Sequence, residues 1–321
     1  MLRNLGMTAT RMAALVWSPP RTLGRPAIIP GRITEIPAFG SNPGALRMFL
    51  HAPAKIPPAG APLIVVLHGC RQSAASFATH AGWIALADQL GIPLVLPEQV
   101  TTNNRNRCFN WYRPGDVARG QGEAMSIRQM IRTATALFSS DRRRVFIVGL
   151  SAGGAMAAAM LAAYPAVFAA GAVVAGMPVG AASTSPMALL RMSRADPLRG
   201  RTGLVAAVRA MAPARGKQPW PRLSIWQGEK DRTVNPDNAE LLAAQWSGLH
   251  NLPSVADSDT VEAPGIRRRG WGKPQRPAVE LWTIADLAHG FPIDGSGRPG
   301  PWVVDAGIPG TRHIAKFWGI E

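Results

Sequence analysis

Short runs of apolar and β-branched residues alternate along this chain with longer segments of helical periodicity. A continuous apolar run such as PLIVVLHG is typical of a strand buried on both faces of a sheet. Strands that alternate with helices predict an α/β fold, with a mostly parallel central sheet and helices on both faces. The predicted strands are 62–69, 92–99, 145–148, 169–176, 222–228 and 278–285. The predicted helices are 77–90, 120–138, 237–246, 311–318 and one that begins at Ala152.

One domain of this kind accounts for nearly all of the chain. Residues 1–37 are expected to form a poorly ordered leader, and residues 38–321 the folded α/β domain. Two segments interrupt the alternation. The segment at about 177–221 contains several prolines and is predicted to be a cap-like insertion over the sheet edge, and about 252–277 is predicted to be a surface excursion. Insertions at the carboxyl edge of a parallel sheet commonly shape a binding site.

The chain is strongly basic, with a formal net charge of +16. Its densest arginine clusters, 142–144 and 267–269, are short, and they are not interleaved with aromatic residues as single-strand nucleic-acid surfaces are. No nucleic acid is therefore expected as a partner, whereas weak association with an anionic surface is compatible with the charge. No apolar run reaches the ~18–20 residues needed to span a bilayer, so no transmembrane segment is expected.

The segment RRRVFIVGLSAGGAMAAAM places one serine where a buried strand turns into an apolar helix. Gly149, Ser151 and Gly153 form the Gly-x-Ser-x-Gly pattern of a nucleophile turn. Such a turn forces the serine into a strained backbone, and the two glycines let the strand and the helix pass closely. The helix that begins at Ala152 directs free N–H groups toward negative charge that develops beside the hydroxyl.

A nucleophilic serine needs a base and a carboxylate that orients the base. On a strand–turn–helix serine site these follow in the order Ser, Asp, His, each just past a strand. Asp231 follows the strand RLSIWQG, and His289 follows the strand AVELWTIA. Ser151, Asp231 and His289 are therefore the predicted catalytic residues. The second oxyanion donor is expected in the loop after PLIVVLHG, so the backbone N–H of Cys70 is predicted to act together with that of Ala152.

Several motifs in this order resemble one known esterase family, that of the poly(3-hydroxybutyrate) depolymerases. The motifs are LHGCRQSAASF, RCFNWY, IRQMI, GLSAGGAMAAAM and GEKDRTVNPDNA, and the ending TRHIAKFWG resembles the short, single-domain members. The resemblance implies an α/β-hydrolase fold and a serine esterase that needs neither a metal nor an organic cofactor. It also implies a disulfide between Cys70 and Cys108. The family's tryptophan after that cysteine lies by the active site, so Trp111 either faces the acyl chain or packs in the core.

The resemblance implies an ester hydrolase that acts through an acyl-enzyme, with hydroxyalkanoate esters or oligomers as the first substrate class. Feruloyl or acetylxylan esters of plant polysaccharides are the alternative, and a basic binding protein on a hydrolase fold is the remote one. No second module follows Glu321, which favours soluble or short substrates. The family and the implied disulfide favour a secreted or periplasmic protein. The amino-terminal stretch lacks the features of a signal peptide, so a cytoplasmic location stays open.

Overall fold

The structure is a computed structural model that describes residues 28–55, 57–196, 198–213 and 219–321. Its strands, in chain order, are β1 (Ile33–Glu35), β2 (Arg47–His51), β3 (Leu63–Leu67), β4 (Leu94–Glu98), β5 (Val145–Leu150), β6 (Ala170–Val174), β7 (Arg222–Gly228), β8 (Ser258–Ala263), β9 (Ile266–Lys273), β10 (Arg276–Ile284), β11 (Phe291–Ile293) and β12 (Val303–Asp305).

The helices, in the same order, are α1 (Ala74–His80), α2 (Trp83–Leu90), α3 (Pro114–Val117), α4 (Gly122–Phe138), α5 (Ala152–Ala163), α6 (Ser185–Ser193), α7 (Arg201–Met211), α8 (Asp237–Leu249) and α9 (Gly310–Trp318). Among the described residues, no helix combines the length and the apolar character needed to cross a membrane.

A single ten-stranded sheet organises the described residues, in the order β1-β2-β4-β3-β5-β6-β7-β10-β9-β8. The six central strands, from β4 to β10 in that order, are parallel. Antiparallel strands extend both edges. This arrangement is that of the α/β-hydrolase fold, and it confirms the predicted α/β class.

Helices cover both faces of the sheet and bury a separate core on each. One core includes Ile127 of α4, Met156 of α5 and Trp246 of α8. The other includes Phe77 of α1 and Trp83 of α2, together with α9. Every residue of α5 is buried, which explains its composition of alanine, glycine and methionine, because a helix enclosed on all sides carries small or apolar residues all round.

The structure corrects two boundaries expected from the sequence. The domain begins before residue 38, because β1 pairs with β2 at Ile33 and His51, and residues 1–27 of the predicted leader lie outside the described residues. The helix expected over 77–90 is two helices, α1 and α2, separated at Gly82, where φ is +82°. A three-residue edge strand and a single glycine are too short to change the periodicity of a sequence window.

The segment at about 252–277 is not a surface excursion, since β8 and β9 form an antiparallel hairpin that extends the sheet beyond β10. The hairpin is not evident in the sequence, because its arginines resemble solvent-exposed charges of a loop. In the structure Arg267 pairs with Asp259 on the facing strand, and Arg268 pairs with the buried Glu280 at 2.8 Å. The charges therefore belong to cross-strand ion pairs, which favour strand pairing.

The segment predicted as a cap-like insertion contains α6 and α7. Two hydrogen bonds hold α6 against the loop after β7 and the start of α8: Asn235 N donates to the carbonyl of Met192, and Asn238 Nδ2 donates to that of Arg191. This helix therefore lies beside the loops that follow the carboxyl ends of the central strands.

Candidate active site

Ser151 occupies the sharp turn between β5 and α5. Its φ of +57° and ψ of −119° put a non-glycine residue in a sparsely populated backbone region. The backbone is held there because Ser151 N donates to the carbonyl of Val174 on the neighbouring strand, at 2.8 Å. The side chain of Ser151 lines a cavity at the carboxyl edge of the sheet.

The glycines on either side of Ser151 are required by close approach. A Cβ on Gly149 would lie 2.2 Å from the carbonyl oxygen of Gly153. A Cβ on Gly153 would lie 2.4 Å from the carbonyl oxygen of Leu67, at the end of β3. No side chain fits at either position, which agrees with the reason given for the Gly-x-Ser-x-Gly pattern.

Asp231 lies in the loop after β7 and is 4% exposed. Its Oδ1 accepts hydrogen bonds from the N–H groups of Thr233 and Val234, both at 2.8 Å. Its Oδ2 accepts from Nδ1 of His289 at 2.7 Å. Burial alone would raise the pKa of Asp231, but the hydrogen bond and charge of His289 and the two backbone N–H groups outweigh burial and lower it. The carboxylate is therefore ionised at neutral pH.

His289 lies in the loop between β10 and β11, and that loop packs directly on the loop of Asp231. Lys230 N donates to the carbonyl of Leu287 at 3.1 Å. A Cβ on Gly228 would lie 2.1 Å from the same carbonyl oxygen. Because the Asp231 carboxylate can only accept, His289 donates through Nδ1, and its Nε2 is the ring nitrogen left to receive a proton.

Two residues that compete for these roles have other partners. Asp286 lies near His289 in sequence, but its exposed carboxylate pairs with Lys230 at 2.7 Å. His68 is fully buried, donates through Nδ1 to the carbonyl of Gly69 and accepts at Nε2 from Gln99 N. Burial lowers the pKa of His68 to about 4, so this histidine is a neutral structural residue of the loop after β3.

The two backbone N–H groups predicted to bind an oxyanion are available. In the loop after β3, Gly69 N donates to Oε1 of Gln72, and Arg71 N donates to the carbonyl of Asn106. Cys70 N and Ala152 N find no acceptor among the residues that the structure describes. Both residues line the cavity that contains Ser151. An anion beside Ser151 would satisfy both donors.

The cavity at Ser151 has a volume of about 350 Å³ and is mostly apolar. The disulfide between Cys70 and Cys108 forms part of its wall. This disulfide joins the loop after β3 to the loop that carries Trp111. Met177, Ala188 and other residues of the segment that contains α6 also line it.

A second cavity, of about 600 Å³, shares part of its wall with the first. Trp111 and Tyr112 line both cavities, and their rings meet edge to face. Tyr112 is further held by a hydrogen bond of 2.9 Å with Ser185 of α6. Trp111 is partly buried: it packs against the core and also lines both cavities.

Sequence reasoning missed two supports of the site. Gln227 Nε2 donates to Asp231 Oδ2 at 3.1 Å, from the position before Gly228. The buried Glu123 of α4 accepts hydrogen bonds from both N and Nδ2 of Asn110, beside Trp111. Burial raises the pKa of Glu123 to about 8. A carboxylate in an apolar helical face is the signal that could have identified Glu123, whereas nothing in the sequence marks Gln227.

No group of three or more potential metal ligands occurs within residues 28–55, 57–196, 198–213 and 219–321. Loops at the carboxyl edge of the sheet carry groups suited to acyl transfer: a hydroxyl on a strained turn, an imidazole paired with a carboxylate, and two N–H donors without an acceptor among the described residues.

Comparison with known proteins identifies the family of this chain. The sequence model of the family Esterase PHB depolymerase matches residues 47–273. Poly(3-hydroxyalkanoate) depolymerase C of Paucimonas lemoignei is 39% identical over 90% of this chain and 70% of the relative. Acetylxylan esterase of Coprinopsis cinerea is 30% identical, over 84% of this chain and 72% of that protein. Feruloyl esterase B of Talaromyces funiculosus is 27% identical over 84% and 76%.

The solved structure of an acetyl xylan esterase from Aspergillus awamori superposes with a TM-score of 0.78, over 91% of this chain and 100% of that one. Its sequence is 19% identical, so this likeness concerns the α/β-hydrolase fold alone. The family model and the relative at 39% identity decide the family itself. The chain is a carboxylic ester hydrolase that belongs to the Esterase PHB depolymerase family.

Proposed function

We propose that Ser151, His289 and Asp231 are the catalytic triad of this esterase and that its reaction proceeds through an acyl-enzyme. The observation that carries the proposal is the 2.7 Å hydrogen bond from His289 Nδ1 to the buried Asp231 carboxylate. This bond sets the tautomer of the imidazole and leaves Nε2 as the proton acceptor for Ser151.

Each group then has one task in the reaction. As Ser151 Oγ attacks the ester carbonyl, His289 Nε2 takes its proton and becomes an imidazolium, which the ionised Asp231 stabilises. The N–H groups of Cys70 and Ala152 donate to the oxyanion of the tetrahedral intermediate. His289 next protonates the leaving alcohol, and a water molecule repeats the sequence on the acyl-enzyme to release the acid.

Esters of hydroxyalkanoates are the substrates that we propose. The main support is the named activity of the Paucimonas lemoignei relative, which is 39% identical. The cavity at Ser151 agrees with it, since its mostly apolar wall suits a short aliphatic acyl unit. Acetyl and feruloyl esters of plant polysaccharides are the second candidate, because acetylxylan and feruloyl esterases are also relatives of this chain.

Trp111 is proposed to contact the substrate. Its support is its position in the wall shared by the cavity at Ser151 and the larger second cavity. Replacing Trp111 by alanine would join the two cavities, so the ratio of activity on p-nitrophenyl decanoate to activity on p-nitrophenyl butyrate should rise. An unchanged ratio in Trp111→Ala would contradict this role.

Weak association with an anionic surface is a further proposal. Its support is the net charge of +16 and a cavity of about 570 Å³ at the amino-terminal ends of β7 and β10, opposite the catalytic loops. Arg222, Arg276 and Lys316 line this cavity and make no ion pair with any described residue. Its two carboxylates, Glu262 and Glu280, are both engaged by Arg268.

The experiment that tests the triad compares the purified protein with Ser151→Ala on p-nitrophenyl butyrate. Members of a triad act as a unit, so kcat/KM should fall by about a thousandfold or more. Ser193→Ala, an exposed serine on α6 outside the cavity, is the matched control and should keep full activity. Equal activity of Ser151→Ala and the wild type would overturn the assignment.

The same protein then receives 3-hydroxybutyrate oligomers, feruloyl esters and acetylated xylan. The ester with the highest kcat/KM decides between the two substrate classes. Faster hydrolysis of the feruloyl or acetyl esters than of the oligomers would reverse the order proposed above.

A further inference from the structure

One charged side chain stands out in the cavity at Ser151. Arg71 contributes to its wall, and every other lining residue within the described part of the chain is apolar or a neutral polar residue. Arg71 is also adjacent in sequence to Cys70, whose N–H is one of the two proposed oxyanion donors. The guanidinium of an arginine carries a positive charge at neutral pH.

The backbone of Arg71 is held in an unusual conformation. Its φ is +61°, which residues with a long side chain adopt rarely. Three contacts impose this conformation: Arg71 N donates to the carbonyl of Asn106 at 2.7 Å, Arg107 Nη2 donates to the carbonyl of Arg71 at 3.1 Å, and Cys70 is bonded to Cys108. These contacts therefore fix the backbone from which the Arg71 side chain extends.

The charge of Arg71 has no counter-ion among the residues that the structure describes. Its one side-chain hydrogen bond within the described residues is a long one, 3.4 Å from Nε to Oδ1 of Asn106, and no carboxylate lies within ion-pair distance. The arginines of the β9 strand differ, because Arg267, Arg268 and Arg269 each pair with a carboxylate. The guanidinium of Arg71 is exposed and free to bind an anion from outside.

We propose that Arg71 binds the terminal carboxylate of a hydroxyalkanoate oligomer and so directs cleavage to the last ester bond. This inference rests on the hydroxyalkanoate substrate class proposed above. In such an oligomer the free carboxylate always lies on the alcohol side of an ester bond. Arg71 would therefore hold the leaving unit while Ser151 attacks the acyl carbon.

The chemistry balances as an ordinary ester hydrolysis. Ser151 Oγ forms a bond to the acyl carbon, and the bond from that carbon to the alkoxy oxygen breaks. His289 gives its proton to that oxygen, so a 3-hydroxy acid leaves with its carboxylate still paired to Arg71. Water then cleaves the acyl-enzyme and leaves an oligomer that is shorter by one unit and carries a new terminal carboxylate.

This role separates the two substrate classes. Acetyl and feruloyl esters of a neutral sugar carry no carboxylate on the alcohol side, so Arg71 would contribute nothing to their binding. An ionised dimer or trimer, in contrast, can accept a charge-assisted hydrogen bond from Arg71 through its terminal carboxylate. A dimer or trimer whose terminal carboxylate is esterified cannot.

The test compares the linear dimer of 3-hydroxybutyrate as the free acid with its methyl ester, at pH 7.5 and low salt, by chromatography of the products. The wild type should hydrolyse the acid with a kcat/KM about tenfold higher or more, mainly through a lower KM. Arg71→Gln should lose most of this preference, and its kcat/KM on p-nitrophenyl butyrate measures any loss that does not depend on the carboxylate. Arg71→Gly serves as the variant that is safe for folding, because glycine tolerates a φ of +61°.

Arg105→Gln is the matched control, since Arg105 is an exposed arginine of a neighbouring loop that does not line the cavity. It should retain the preference for the acid. Equal kcat/KM for acid and methyl ester in the wild type, or equal losses on both in Arg71→Gln, would overturn the role of Arg71 alone. Hydrolysis of p-nitrophenyl butyrate without hydrolysis of either dimer would overturn the substrate class and the inference together.

Discussion

Individual glycines determine how closely the catalytic loops approach one another. Gly149 and Gly153 let the strand and helix of the nucleophile turn meet, and Gly228 lets the Asp231 loop contact the His289 loop. At each position the nearest atom to an added Cβ is a backbone atom less than 2.5 Å away. Backbone atoms cannot move aside as the end of a flexible side chain can, so these contacts set the geometry of the site.

Replacing Gly228 by alanine should therefore separate the acid from the base. The new Cβ would clash with the carbonyl oxygen of Leu287, and the shift would break the bond between Asp231 and His289. We expect kcat on p-nitrophenyl butyrate to fall at least a hundredfold, because displacements of about 1 Å in a catalytic group have effects of that size.

The matched control for this substitution is Gly200→Ala. Gly200 has an ordinary backbone conformation, and nothing lies within 4 Å of an added Cβ there. This variant should keep wild-type activity. Normal kcat in Gly228→Ala, with its thermal stability unchanged, would show that the contact does not set the catalytic geometry.

At the scale of elements, the site depends on loops that are joined to each other. The Cys70–Cys108 disulfide links the loop after β3 to the loop before α3, across 38 residues of sequence. Hydrogen bonds between the loops after β7 and β10 join the acid to the base. The sheet supplies the strand ends, and these cross-links keep the loops that follow them in register.

Removal of the disulfide should lower both stability and activity. A cross-link that closes a loop of this length is expected to stabilise the folded state by about 4 kcal/mol. Cys70→Ser combined with Cys108→Ser should lower the free energy of unfolding in urea by roughly that amount. Activity should also fall at temperatures where the variant is still folded, because Cys70 N–H would no longer be held beside Ser151.

Reductant provides the control for the disulfide. It should lower the urea midpoint of the wild type and leave that of the double variant unchanged. A wild type whose midpoint and kcat are insensitive to reductant would contradict both expectations.

At the scale of the whole molecule, the net charge is +16, and some of its basic residues are paired with carboxylates whereas others are not. The arginine run 267–269, which looks like a basic patch in the sequence, is neutralised by Asp259, Glu280 and Glu240. Unpaired cations remain at the cavity that Arg222, Arg276 and Lys316 line, at the edge opposite the catalytic loops. A surface bound there would leave the active site open to solvent.

Binding to vesicles with one third anionic lipid should therefore be measurable at low salt and should weaken as salt screens the charges. Arg276→Glu combined with Lys316→Glu should weaken binding about tenfold or more, since each basic residue near such a surface contributes about 1 kcal/mol. Arg32→Glu combined with Arg209→Glu changes the net charge equally at other exposed positions. Equal weakening by both pairs would assign binding to total charge rather than to this cavity.

The sequence by itself determined the parallel core of the sheet and the residues of the candidate triad. Central strands are buried on both faces, so their continuous apolar runs mark them. Ser151, Asp231 and His289 each follow one of these strands, in the order typical of a strand–turn–helix serine site. The family resemblance, rather than any spacing, supplied the pairing of Cys70 with Cys108, and the structure confirms that disulfide.

Only the tertiary structure decided the edges of the sheet and the walls of the cavity. The hairpin of β8 and β9 is built from exposed and charged residues, whose partners Asp259, Glu280 and Glu240 become visible only when the strands are paired. Trp111 and Arg71 acquire their positions from loops that a disulfide brings together. Such contacts join residues far apart in sequence, and no local pattern of apolar and polar residues encodes which distant atoms will be neighbours.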